Sequence, residues 1–256
     1  MISNSKVNEI LNSLTGRSSL SAPSAIYLGL SATEPDANGG SLSEPSVASY
    51  ARKLVGGTSN TANQMFGTAS GGVVKNNVEI QMQTARQDYG EKMLYWFLST
   101  SSTKGQSAFI WGRIKDVMRE KAEVAGFVAH SSIEGMYWYT EELSELMDLT
   151  VGETYIVYWD GKEYEFEAQL YESGDVSYVV IGNPAFAGGE DNGFPFVIQY
   201  NETTTGTETT GTISMYCQTA EGTHTVAIYG LGIEVKNKTV TTFYAGELQA
   251  SIDASL

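Results

Sequence analysis

The chain has 256 residues, enough for one large domain or two small ones, and with 41% hydrophobic residues it can build a packed core. Its single cysteine, Cys217, excludes an internal disulfide framework and a Cys-based zinc cluster, and no apolar run is long enough to span a membrane. The net charge of −15 disfavours nucleic acid as a partner, and that charge is unevenly spread. Residues 1–115 carry 7 acidic and 10 basic side chains, residues 116–230 carry 20 and 3, and residues 231–256 carry 3 and 2. So sharp a shift in composition reads as an inserted domain over 116–230 within a scaffold of 21–115 and 231–256.

The chain opens with ISNSKVNEI, which has neither a basic start nor an apolar core of the secretory kind. Residues 4–15 are predicted to form a short amphipathic helix within an N-terminal arm of residues 1–20. Val7, Ile10, Leu11 and Leu14 share one face, a Ser or Asn at positions 3–5 can cap it, and Gly16 can stop it. So short a helix needs a surface to lie on, either its own domain or a neighbouring subunit.

Strands follow. Ile26, Leu28 and Leu30 alternate with Tyr27, Gly29 and Ser31 before the chain enters the loop TEPDANGGSLSEPS. Ser49–Val55, a segment around Val78–Met82, Met93–Ser99 and Ser107–Ile114 read as further strands. The Met93–Ser99 segment is apolar on both faces and reads as central, pairing with Ser107–Ile114 across the turn STKGQ. Near the end, Ile233 with Val235, Val240–Tyr244 and Leu248–Ile252 give the closing strands.

In the acidic block, Thr140 is placed as the cap of a short helix carrying Leu143, Leu146 and Met147. Next comes the strongest local signal, ETYIVYWDGKEYEFEAQL. Alternating residues on either side of Asp160-Gly161 predict a type I′ hairpin. Strands at VSYVVIG, FPFVIQY, GTISMYC and GTHTVAIYG follow, separated by the turn-rich segments NPAFAGGEDNG and NETTTGTETTG. Many Tyr, Thr, Val and Gly place the fold as mainly β: a β-sandwich scaffold with a short N-terminal helix and an inserted small β-sandwich.

Signals for chemistry are sparse. No phosphate-binding or nucleophile-elbow motif occurs, and the two histidines, His130 and His224, lie in unrelated contexts. His224 reads as a surface strand residue and Cys217 as a small buried hydrophobe. Glu163, Glu165 and Glu167 alternate with Tyr164, Phe166 and Ala168, which is the solvated face of a half-buried strand rather than a glycosidase pair. The loop Gly188–Gly193 holds Glu190, Asp191 and Asn192 as candidate calcium ligands but lacks the EF-hand spacing. No metal, cofactor or catalytic residue is assigned. Exposed Tyr137, Trp138, Tyr139 and Trp159 could stack on sugar rings; the competing reading places Trp159 in the core. The three consecutive aromatics cannot all face one core.

The scaffold pattern resembles tailed-bacteriophage tail-fibre-like or minor virion structural proteins. The matching residues are Leu28, Leu30, Glu34, Pro35, Gly39, Gly40, Glu44, Tyr50, Ala51 and Arg52, then Asn77–Ile80, Asp88-Tyr89-Gly90 and Trp111-Gly112. Gly232, Ile233, Val235, Phe243, Gly246 and Leu248 close the pattern. In that family the step from Trp-Gly to the closing strands is short, whereas here the acidic block intervenes. A second resemblance links the WDGKEY hairpin to Ig-like domains of phage structural proteins.

The resemblance implies a non-enzymatic virion component that docks on the capsid as a decoration or head fibre and projects the acidic domain. The alternative is a tail fibre, collar or baseplate component that binds a host-surface receptor. Implied partners are other virion proteins and a second and third copy of the chain, with a host-surface glycan or protein as a further candidate and no membrane or nucleic acid. The loop is expected to reach outward, with Arg52 pairing Glu34, Glu44 or a neighbour's backbone. Glu34, Glu44, Tyr50, Arg52 and Trp111 are expected to fix the loop and the assembly, and Val7, Ile10, Leu11 and Leu14 to form the docking face.

Overall fold

A computed structural model describes residues 1–61, 64–173, 176–183, 195–218 and 222–251. Strand makes up 45% of it and helix 5%, so the protein is mainly β with one short N-terminal helix. No helix among the described residues is long and apolar enough to cross a membrane. The chain packs as two compact units: Met1–Lys115 with Gly232–Leu256, and Asp116–Leu231.

The first unit begins with helix α1 (Asn4–Leu14), capped by the Ser3 side chain, which accepts from the Lys6 amide. Its strands are β1 (Ile26–Ser31), β2 (Lys53–Gly56), β3 (Val73–Lys75), β4 (Ile80–Gln81), β5 (Tyr95–Ser99) and β6 (Ile110–Arg113). The principal sheet has the antiparallel order β2-β1-β5-β6. All five residues of β5 are buried, because the strand feeds a core on each face. Trp96 and Leu98 join Leu28 and Leu30 on one side, and Tyr95 and Phe97 join Trp111 and Ala108 on the other. Gly29 is required opposite Phe97, where a Cβ would lie 2.2 Å from the ring. Residues Met1–Ser3 pair along the open edge of β6, with Ile2 opposite Ile110.

The returning chain adds short strands at Thr242–Phe243, paired with β4, and Gln249–Ser251, paired with β3. The Ile233–Val235 segment forms no strand; a single bridge joins Ile233 to Met93. Buried Asn76 ties this return in place. Its Nδ2 donates to the Tyr244 and Val78 carbonyls, and its Oδ1 accepts from the Gly246 and Leu248 amides. Both ends of the amide are thus satisfied inside the unit.

The second unit holds β7 (Lys115–Val124), β8 (Val128–Ala129), β9 (Tyr137–Leu143), β10 (Thr154–Trp159), β11 (Lys162–Glu167), β12 (Gln169–Ser173), β13 (Val176–Gly182), β14 (Phe196–Thr205), β15 (Glu208–Cys217) and β16 (His224–Leu231). They form two sheets, of order β11-β10-β16-β7 and β12-β13-β14-β15-β9-β8. One core lies between them, built from Tyr155, Val157, Trp159, Phe166, Val226 and Ile228 on one side and Ile181, Phe196, Ile198, Ile213, Met215 and Cys217 on the other. That is a sandwich. The four-strand meander β12 to β15 within one sheet differs from immunoglobulin connectivity, in which at most three consecutive strands (C, C′ and C″ of the variable type) stay together.

The Asp160-Gly161 hairpin forms with φ of 46° and 91° at its two turn residues, and Trp159 sits in the core opposite Lys162 at its base. Pairing overrides the local signal at two further places. Thr140 caps no helix: it lies in β9, which pairs residue by residue with β15 and so overrides the local Thr-Glu-Glu signal. NETTTGTETTG is not a separating loop but the tip of a hairpin whose pairing runs to Thr205↔Glu208, as β-branched threonines favour.

Candidate functional site

The loop after β1 does not reach outward; it folds back and is held by side chains. Asp36 accepts from the Asn38 and Gly40 amides and the Ser41 hydroxyl, and these bonds, the hydroxyl's first, lower its carboxyl pKa. Gly39 stands at the loop's closest approach to the strand connection, with φ of 78°. A Cβ there would fall 1.8 Å from the Ala108 carbonyl oxygen.

Arg52 pairs with Glu44, bidentate through Nη2–Oε1 at 2.7 Å and Nε–Oε2 at 3.0 Å. The two side chains are 0% and 4% exposed. The remaining guanidinium donors reach the Ser101 and Gln106 carbonyls, and the guanidinium lies 4.8 Å over the Phe97 ring. Glu44 also accepts from the Gly105 amide and the Tyr50 hydroxyl, and that hydroxyl accepts from the Leu30 amide. Burial, followed by the Glu44 charge, pushes the Tyr50 phenol well above its ordinary pKa. One buried cluster thus joins β1, the acidic loop and the β5–β6 turn. Glu34 lies outside it and accepts from the Tyr95 hydroxyl at 3.3 Å. Trp111 packs in the smaller core, its indole N–H buried without an acceptor.

Helix α1 buries none of its residues. Along the predicted face Val7 and Ile10 are half-buried, while Leu11 is 53% and Leu14 79% exposed. The helix is anchored at its base, where the Asn4 amide donates to the Ala37 carbonyl.

In the second unit, His224 is not a surface residue. It is buried, with its ring 4.8 Å from Phe127 and 4.9 Å from Trp159. Its Nδ1 donates to Asp160 Oδ2 at 2.6 Å, since an ionised carboxylate can only accept, and its Nε2 lies 3.6 Å from Cys217 Sγ. The order thiol, imidazole, carboxylate is that of a nucleophilic triad. Here, however, Cys217 is 0% exposed, so the cluster offers no open nucleophile and instead joins the ends of β10, β15 and β16. No sequence motif announces it, because Asp160 and His224 are 64 positions apart.

The aromatic run of β9 divides as strand geometry requires. Tyr137 and Tyr139 pack on the core, while Trp138 points to the other face, stacked on Tyr216 and flanked by His130. Glu163, Glu165 and Glu167 are exposed along β11. Among the described residues no group of three metal-ligating side chains occurs, and the candidate calcium loop Gly188–Gly193 lies outside those residues.

Residues 1–116 match the family described as Podophage GP4 fiber I protein gp80. The matched segment holds α1 and the Arg52–Glu44 cluster and ends where the second unit begins. Residues 231–256, expected to share the resemblance, lie outside the match. No curated protein matches the chain. The match supports a bacteriophage virion component with a fibre-like, structural role.

Proposed function

We propose that the protein is a non-enzymatic virion protein that docks on the capsid through its first unit and presents the acidic unit to the medium. The observation that carries this reading is the open apolar row of α1, ending in Leu11 and Leu14, within the segment matched to a phage fibre family. Such a row fits a groove on a neighbouring virion protein, in the helix-in-groove mode. The Arg52–Glu44–Tyr50 cluster keeps the adjoining loop in one shape for that contact, and three copies per site is the oligomer proposed. The acidic unit, bearing 20 acidic and 3 basic residues over 116–230, keeps particles apart by mutual repulsion.

A second reading places the chain on the tail, where the acidic unit binds a host-surface receptor. It is favoured by the Trp138–Tyr216–His130 ring cluster on the face of β9 and β15 that points away from the core. Immunogold labelling of purified particles with antibody to residues 116–231 separates the two. Label over the capsid supports the first reading, and label confined to tail or neck supports the second. Absence of label, with the protein detected by mass spectrometry, contradicts both.

A further inference from the structure

We infer that the outward face of the six-stranded sheet is a binding platform for an uncharged glycan, centred on Trp138 and Tyr216. The inference rests on the receptor-binding reading of the acidic unit and narrows it to a chemistry and a place.

Register alone aligns the groups. Trp138 pairs with Tyr216, which forms an aromatic pair across β9 and β15, while the next residue in register, Val197 of β14, is buried. Two residues along each strand, Thr140 pairs with Ser214 and Ser214 with Gln199. This second row carries hydroxyls and an amide, and lies about 7 Å from the first. The rings of Trp138 and Tyr216 are stacked at 22°, with centroids 6.2 Å apart, and His130 sits 5.7 Å from Trp138. The Ser132 amide donates to His130 Nδ1, so in the neutral imidazole Nε2 carries the proton and is a donor. Trp138, Tyr216 and His130 are each half-buried. Tyr178 extends the same face, close enough for its charge to raise the Tyr216 phenol after burial has done so.

An aromatic row beside a row of neutral hydrogen-bonding groups suits a sugar. The C–H face of a pyranose lies on an aromatic ring while its hydroxyls reach sideways to amide, hydroxyl and imidazole partners. The excess of 20 acidic over 3 basic residues across 116–230 repels nucleic acid and anionic polysaccharide. A protein partner calls for a continuous apolar centre, which the Thr140–Ser214–Gln199 row interrupts.

The test uses the full-length chain in affinity electrophoresis, through gels cast with one uncharged polysaccharide at a time: a β-glucan, a mannan, a galactan or a soluble chitosaccharide. The expected result is retardation by at least one of them, with apparent affinity reduced at least tenfold in both Trp138→Ala and Tyr216→Ala. Gln199→Ala, which leaves the rings in place, should weaken retention severalfold and decides the matter if a ring variant fails to fold. Retardation by none of the four, or equal retention of the well-folded variants, overturns the platform, as does preference for an anionic polysaccharide. Binding of the wild-type chain to host cells is measured in parallel. Cell binding that survives Trp138→Ala leaves the receptor reading standing and removes the platform. No cell binding by the wild type removes the receptor reading itself.

Discussion

The two units use the same class of secondary structure and hold it by different means. In the first, strands are two to six residues long, and long connections are fixed by single polar side chains: Arg52 and Glu44, Asp36, and Asn76. In the second, strands run to ten residues and β14 pairs with β15 at ten successive positions, so the backbone ladder carries most of the order. A fold pinned by a few buried polar groups should fail when one is removed, whereas a fold made of continuous ladders should lose a fraction of its stability per substitution.

That contrast can be broken most directly at Arg52. Arg52→Ala leaves the Glu44 carboxylate buried without its partner and should cost about 3–5 kcal/mol of unfolding free energy, read from denaturant curves. A loss below about 1 kcal/mol would mean that water reaches Glu44 and that the pin is not one. The corresponding change in the second unit is smaller. His224→Ala removes a buried ring packed on Phe127 and Trp159 together with its hydrogen bond to the half-exposed Asp160, and should cost about 1–3 kcal/mol. It should also speed thiol alkylation of Cys217, whose sulfur is enclosed in the folded wild type and should react slowly there.

A pH series sharpens the comparison further. Burial pushes the Tyr200 phenol up to about 12, while its hydroxyl accepts from the Met147 amide and donates to Glu202. A phenol whose pKa is raised by folding leaves stability unchanged below the unfolded value near 10 and lowers it progressively up to about 12, because the unfolded chain releases its proton first. Tyr200→Phe should therefore flatten the alkaline loss seen in thermal melts between pH 10 and 12. The smallest effect on folding is expected at the helix. The double variant Leu11→Ser, Leu14→Ser should change stability by no more than about 0.5 kcal/mol, since both side chains are already exposed. Its incorporation into particles should nevertheless fall sharply, and full incorporation would count against α1 as the docking element.

Local signals proved readable where the chain is held by its neighbours in sequence. Asp160-Gly161 between alternating strands fixes its hairpin without outside help, and the apolar run of β5 follows from its having a core on each face. What was not readable depends on distant pairing. The Thr-His-Thr-Val pattern looks solvent-facing until Asp160 and Cys217 are brought beside His224. Thr140-Glu141-Glu142 resembles a helix start until β15 claims it as a strand. Asn76 gives no sign of its importance, because the Tyr244 carbonyl it holds lies 168 positions away. Arg52 had two candidate carboxylates in the sequence, and only the fold-back of the loop selects Glu44 over Glu34.

One hydrogen bond has a consequence for the history of the gene. The Gly232 amide donates to the Ile114 carbonyl at 2.9 Å, so the chain leaves the first unit and re-enters it at adjacent points. Everything between can be gained, dropped or exchanged as a cassette without changing the register of the remaining strands, provided its two ends lie side by side. A lineage can therefore keep the first unit while replacing the second, and a foreign domain with neighbouring termini can be carried in the same position.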